Sequence, residues 1–125
     1  VPGRDLEDLT RPESEEILKE REWRFYGYQR LTRITIPAKI FDTHITFDFR
    51  PAIRFAQRAL GVEETEDLDQ KTIAEIENAN SQDFFESYTS VLEDYVESDF
   101  GGDGALLRRV RAVPPRNVDS LDTFV

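Results

Sequence analysis

The sequence predicts an all-α fold: a single compact domain of about six helices. Two observations point there. Apolar residues recur at helical spacing over most of the chain, most clearly at Phe84, Phe85, Tyr88, Val91, Leu92, Tyr95 and Val96. Helix punctuation divides the chain at regular intervals, with Gly27, Gly61 and the Gly101-Gly102-Asp103-Gly104 run as stops. A length of 125 residues suits one domain and is short for two.

Residues 1–10 read as a lead-in, with turn chemistry at Val1-Pro2-Gly3. A first helix is expected from the Thr10 to Ser14 region to about Phe25 or Tyr26. Thr10 or Ser14 is the candidate cap, Pro12 sits in the first turn, and Glu13, Glu15 and Glu16 crowd the positive end. Ile17, Leu18 and Phe25 share one side of this helix. Trp23 falls about 140° away from Leu18, either packed under the following loop or exposed at the edge of a groove. Tyr26 and Tyr28 carry the same two readings.

Residues 34–50 are ambiguous. Ile34, Ile36, Ala38 and Ile40 alternate, as do Ile45, Phe47 and Phe49, which is a strand pattern. Helical spacing also works from Pro37 onward. It places Ile40, Phe41, His44, Ile45 and Phe47 on an inner side and Lys39, Asp42, Thr43 and Thr46 on the outer one. The helix is preferred because the rest of the chain is helical. Pro51 should open the next helix, with Asp48 as a cap. Ala52, Ile53, Ala56, Ala59 and Leu60 form its inner face, Phe55 broadens it, and Gly61 ends it.

Asp67 or Asp69 is expected to cap a helix whose Ile73 and Ile76 point inward, ending at Asn78 to Asn80. Ser81 or Asp83 starts the long amphipathic helix. A last helix carries Leu106, Leu107, Val110 and Val113, with Arg108, Arg109 and Arg111 near its negative end. Pro114-Pro115 stops it, and 114–125 reads as a tail docked by Leu121 and Phe124. The expected organisation is a lead-in over 1–10, a helical domain over 11–113 and the tail.

Composition narrows the function. With 26 acidic and 16 basic residues the net charge is -10. That excludes nonspecific binding to nucleic acid and attraction to anionic membranes. The absence of Cys removes disulfides and thiol chemistry, and one His cannot build a histidine-rich metal site. No membrane insertion is expected, because no run reaches transmembrane length. No phosphate loop, dinucleotide fingerprint or calcium loop is present, so no cofactor is predicted. The chain holds no Met, and a start inside a longer protein or after processing is one reading of that.

Phe41-Asp42, then Pro51-Ala52-Ile53, then Gln57-Arg58-Ala59-Leu60-Gly61-Val62 form an ordered set. Leu68 to Ile73, Leu9-Thr10-Arg11-Pro12 with Glu22-Trp23, and Leu106 to Val113 extend it over roughly residues 9–113. The set resembles the C-terminal, peptidoglycan-binding part of the lysozyme-like acetylmuramidase family, related to phage endolysins and secretion-activating proteins. In that family the middle run reads Phe-Asp-x-x-Val-Asn-x-Gly, and a helix then closes on Gln-x-Ala-Leu-Gly.

The resemblance implies a lysozyme-like helical domain that binds cell-wall peptidoglycan, with a periplasmic, extracellular or phage-encoded setting. It implies Trp23, Tyr26 and Tyr28 at a groove rim, and polar contacts from Asp42, Thr46 and Arg50. The family's catalytic glutamate lies upstream, and Glu7, the one Glu in that region, has the wrong surroundings. Thr46 replaces the family's Asn and Asp48 its Gly. The chain therefore reads as a binding domain with no catalytic residue of its own. Two alternatives stand beside it: half of an active muramidase whose missing N-terminal lobe supplies the acid, or a repurposed domain that binds another protein.

Glycoside hydrolysis needs a protonated carboxyl group beside the glycosidic oxygen and a second carboxylate or held water opposite. Asp42 and Asp48 are the acids set among apolar residues. Their simpler roles are a structural hydrogen-bond acceptor and a helix cap. Histidine's ordinary pKa lies near neutrality, but His44 has no Ser, Cys or metal-ligand set beside it, and a packed core-edge histidine is the plainer reading.

Overall fold

The computed structural model describes residues 19–112. The expected starts and stops at Thr10, Pro12, Ser14 and Pro114-Pro115, and the docking of Leu121 and Phe124, lie outside these residues. Six α-helices and no strand are found among them, so the all-α fold is the observed one. Residues 19–25 are helical (α1), followed by a 3-10 turn at Tyr28–Arg30. Then come α2 (Thr35–Phe47), α3 (Phe49–Leu60), α4 (Gln70–Asn78), α5 (Ser81–Asp99) and α6 (Gly104–Arg111). The chain divides after Arg30 into two compact units.

In the first unit, Gly27 adopts a φ of 90°, which ends α1 at the predicted glycine. The Arg30 Nε donates to the Gly27 carbonyl at 3.0 Å. Phe25, which the spacing places on one side of this helix with Ile17 and Leu18, is 81% exposed, and Ile17 and Leu18 lie outside the described residues.

In the second unit, α3 packs on α2, α4 and α5, and α5 also packs on α2 and α6. Ala52, Ile53 and Ala56 bury the predicted face of α3, which packs on α5, where Phe84, Tyr88, Leu92 and Val96 are the four buried residues of the seven in the predicted stripe. Small residues at 52 and 56 let the helices approach. The buried Tyr88 hydroxyl donates to the Ala52 carbonyl at 2.9 Å, and burial pushes the phenol upward from its usual range.

The caps follow local chemistry. Asp69 accepts from the Thr72 amide to start α4, Asn80 from the Asp83 amide to start α5, and Asp103 from the Leu106 amide to start α6. Gly61, in the left-handed region, closes α3 with the paired bonds of a Schellman motif. Its own amide donates to Arg58 O and the Val62 amide to Gln57 O. Asp48 caps α3 as predicted, but α3 starts at Phe49, two residues before Pro51. Asp48 has φ 95° and ψ 163°, a region that is almost exclusively glycine's.

The face of α2 differs from expectation. Ile36, Lys39, Ile40, Thr43 and His44 are buried and Ile45 is exposed, so the inner face is rotated toward Lys39 and Thr43. The polar pair is accommodated because its hydrogen bonds are made inside. Lys39 Nζ donates to the carbonyls of Val110 and Ala112, and Thr43 Oγ1 to the Lys39 carbonyl.

Arg33 plays the matching part for α4. Its guanidinium donates to the carbonyls of Ile76 and Ala79 and to the Ser81 hydroxyl. Beside it, the Thr32 amide and hydroxyl both donate to the Glu77 carboxylate, at 2.7 and 2.6 Å. Carbonyls at a helix C-terminus have no partner within the helix, and a cation there also meets the negative end of the dipole.

Candidate functional site

The residues singled out by sequence fall in both units. In the first, the Trp23 ring stacks on Tyr28, with centroids 4.8 Å apart and planes 21° apart. Tyr28 has no exposed surface, so its expected place on a groove rim is corrected: the residue is part of the core. Trp23 is half-buried with one face occupied by Tyr28. Tyr26 is half-buried and meets Phe25 edge-on at 4.9 Å.

In the second unit, Asp42 forms a 3.0 Å ion pair with Arg109, which ties α2 to α6. The Thr46 hydroxyl turns back and donates to the Asp42 carbonyl at 2.9 Å. Arg50 is exposed in the first turn of α3. Asp42 and Thr46 are thus neighbours on α2, each with an internal partner. His44 is buried and edge-on to the rings of Phe41 and Phe49, at 5.2 and 5.5 Å. Among the described residues no group of three His, Cys, Asp or Glu is placed to hold a metal ion. No helix among them is long and apolar enough to cross a membrane.

The sequence reading missed an aromatic cluster where α2, α3 and α5 meet. Tyr95 is its centre. Its ring lies 4.6 Å from Phe55, 5.4 Å from Phe47 and 5.3 Å from Phe100. Phe47 ends α2 and Phe100 follows α5, so the two are joined only by tertiary packing. Phe100 remains 42% exposed, which brings the cluster to the surface.

The cluster runs into an open cleft of about 390 Å³ between α3 and α5. Tyr95 lines it, and Phe55, almost wholly buried, lies beneath. Arg54 and Arg58, one turn apart on α3, hold their guanidiniums 4.7 and 5.2 Å from the centre of the Phe55 ring. Glu66 pairs with Arg54 at 3.1 Å and Glu64 with Arg58 at 3.0 Å. The hydrogen bond from Arg58 holds the Glu64 carboxyl below its ordinary range. Asp94 and Asp99 stand on the α5 side. Asp99 accepts from the Ser98 hydroxyl at 2.8 Å.

A smaller hollow of about 220 Å³ lies beside the α4–α5 connection. There Asn78 Nδ2 donates to the Ala74 carbonyl, and Asn80 Oδ1 accepts from the Asp83 amide to cap α5. The α3–α5 cleft, larger and lined by Tyr95 and several charged side chains, is the better binding surface.

No family model matches the chain, and no curated protein and no solved structure matches it either. These three results overturn the lysozyme-like, muramidase and peptidoglycan-binding labels that the resemblance implied. The motif pieces at Phe41-Asp42, Gln57 to Val62 and Leu68 to Ile73 are accounted for instead by local structure. Asp42 is an ion-pair partner, Gln57 to Val62 close a helix, and Asp69 opens one.

Proposed function

We propose that this chain is a protein-interaction domain that engages a partner through the aromatic patch at Phe100 and Tyr95. The reading is carried by one observation: a connected cluster of four rings opens to solvent at Phe100, beside a cleft with charged walls. Aromatic side chains bury much area with little loss of rotamer freedom. An aromatic centre with arginines nearby is the composition of energetically dominant interface positions. The net charge of -10 supports monodispersity of the free chain and discourages nucleic acid as the partner.

A random-peptide display selection against the whole chain tests this. The enriched peptides are expected to share a bulky aromatic or aliphatic anchor. Their affinity should fall about tenfold on Phe100→Ala, the cost of removing one central aromatic. Phe100 is 42% exposed and packs on Phe47 and Tyr95, so a thermal melt of Phe100→Ala accompanies the binding measurement to show that the fold is kept. Failure to enrich any sequence, or binders indifferent to both Phe100→Ala and Tyr95→Ala, defeats the proposal.

A further inference from the structure

The exposed ring of Phe100 sits at the acidic end of an acidic helix. Helix α5 carries Asp83, Glu86, Glu93, Asp94, Glu97 and Asp99 and no Lys or Arg. Glu93 is paired with Arg111. Asp94 and Glu97 are exposed and form no ion pair with a described residue. Asp99, also exposed, accepts from the neighbouring Ser98 hydroxyl. By helical spacing Phe100 falls between Glu97 and Asp99 around the axis. Both carboxylates stand at the negative end of the helix dipole, and the last turn holds no basic residue to offset them. Glu93 and Asp94 lie four and three residues before Glu97, where like charges repel. The free chain carries both costs, and a cation brought to Phe100 relieves both.

The adjoining cleft has the same sign. Arg54 and Arg58 are each matched by a glutamate, so Asp94 and Asp99 are the lining charges left without a cation. Beyond the Gly101-Gly102 turn, Asp103 accepts from the Leu106 amide, and the Arg108 guanidinium reaches back beside Gly104. Asp103 is therefore not counted with the other three.

Resting on the interaction-domain reading, we infer that the Phe100 patch takes a basic segment of a partner protein, with an apolar anchor on Phe100 and arginines beside it paired with Asp94, Glu97 and Asp99. Arginine suits the surface better than lysine. Its planar fork meets a carboxylate with two parallel N–H donors, it stacks on aromatic rings, and it gives up water more readily than an ammonium. A second copy docking through the same face would set these carboxylates against their own kind.

The test uses capped peptides with a central Trp flanked by two Arg, by two citrullines or by two Glu. Citrulline keeps the length and planar head of Arg without its charge. Binding to the full chain is followed by amide NMR shifts at low and high salt. The Arg-flanked peptide should bind about tenfold more tightly than the citrulline peptide at low salt, lose most of that advantage at high salt, and shift residues 94–100. Glu97→Gln with Asp99→Asn should abolish the preference. Glu75→Gln with Glu86→Gln makes the same change in net charge on α4 and the first half of α5, and should keep it. The Glu97→Gln, Asp99→Asn variant should melt no lower than the parent, since the lost charges oppose the dipole. A lower melt would contradict the unfavourable placement from which the partner's charge is argued.

Equal affinities for the Arg and citrulline peptides, with binding still dependent on Phe100, overturn the basic partner and leave the interaction domain standing. Display-selected peptides that depend on Phe100 and lack basic residues do the same. Equal loss in the two charge variants reduces the effect to net charge and overturns the assignment to Asp94, Glu97 and Asp99. Absence of any binding, by designed and displayed peptides alike, removes both readings. A dimer in sedimentation that Phe100→Ala breaks would give the patch to a second copy and overturn the basic partner.

Discussion

The ammonium of Lys39 lies 2.7 Å from the carbonyl oxygen of Val110 and joins α2 to the end of α6. A second bond of equal length reaches Ala112. The side chain is 2% exposed, so water does not replace these bonds. Lys39→Met keeps the apolar stem and removes the donors. It should destabilise the fold by about 1–2 kcal/mol, since the lost charged hydrogen bonds are partly offset by relief of desolvation. In hydrogen exchange the α6 amides should lose protection first. A variant as stable as the parent in urea titration would refute this account.

Lys39 also sets a pH dependence. Burial holds its pKa below the ordinary 10.5, an effect opposed by Asp42 and assisted by Arg109. The folded chain therefore releases this proton at lower pH than the unfolded chain. Between the folded pKa and 10.5 the unfolded state binds more protons, and stability from this group rises with pH. The stability difference between the parent and Lys39→Met should widen in alkali below that limit. A difference that narrows there would contradict the assignment.

Asp48 combines a useful cap with an unfavourable backbone. Its carboxylate accepts from the Phe49 amide at 2.8 Å, while its φ of 95° belongs to glycine. The strain at such a position is about 1–3 kcal/mol, and a glycine cap loses only a few tenths relative to Asp. Asp48→Gly should stabilise the chain by about 1 kcal/mol after the added entropy of the unfolded glycine is allowed for. Asp48→Ala should destabilise it, because it keeps the strain and loses the cap. Thermal melts of the two variants moving in the same direction would show the reasoning to be mistaken.

Gln57 is the buried polar hub of the 62–69 connection. Its Nε2 donates to Thr65 Oγ1, the Asp67 carbonyl and Thr72 Oγ1 at 2.9–3.0 Å, and its Oε1 accepts from the Glu66 amide. The two threonine hydroxyls donate onward to Asp69. Gln57→Leu leaves the Glu66 amide without its acceptor and takes the nearer donor from the Asp67 carbonyl, and should cost about 2 kcal/mol, with faster exchange of the Glu66 amide. The Thr72 hydroxyl and amide hold the Asp69 carboxyl below its ordinary 3.8, so its contribution is present above that pH and fades as pH falls further. Unchanged Glu66 exchange in Gln57→Leu would show that the connection is held by other means.

The helices of the second unit were legible because their signals are local. The α5 stripe, the Gly61 stop and the caps at Asp48 and Asp69 depend on spacing or on short-range geometry. The face of α2 was not legible, because Lys39 reads as solvent-facing unless its partners, 71 and 73 positions away, are known. Gln57 was readable in principle: it lies four residues after Ile53, on the buried face. The aromatic cluster was hidden for the same reason as Lys39, since Phe47 and Phe100 meet only after α2 and α5 pack. The candidate rim failed at Tyr28, where aromatic character alone did not distinguish core from groove.

Arg33 and Lys39 precede in the chain every backbone carbonyl that they bind. During synthesis both cations are made before the carbonyls at the ends of α4 and α6 that they bind in the folded chain. Arg33 must wait for residues 43–48 positions later, and Lys39 for residues 71–73 positions later. Neither can be desolvated with compensation by a helix that stops short. A chain cut short before Val110 therefore leaves Lys39 without either of its carbonyl partners, whereas Arg33 has all of its own once residue 81 is made.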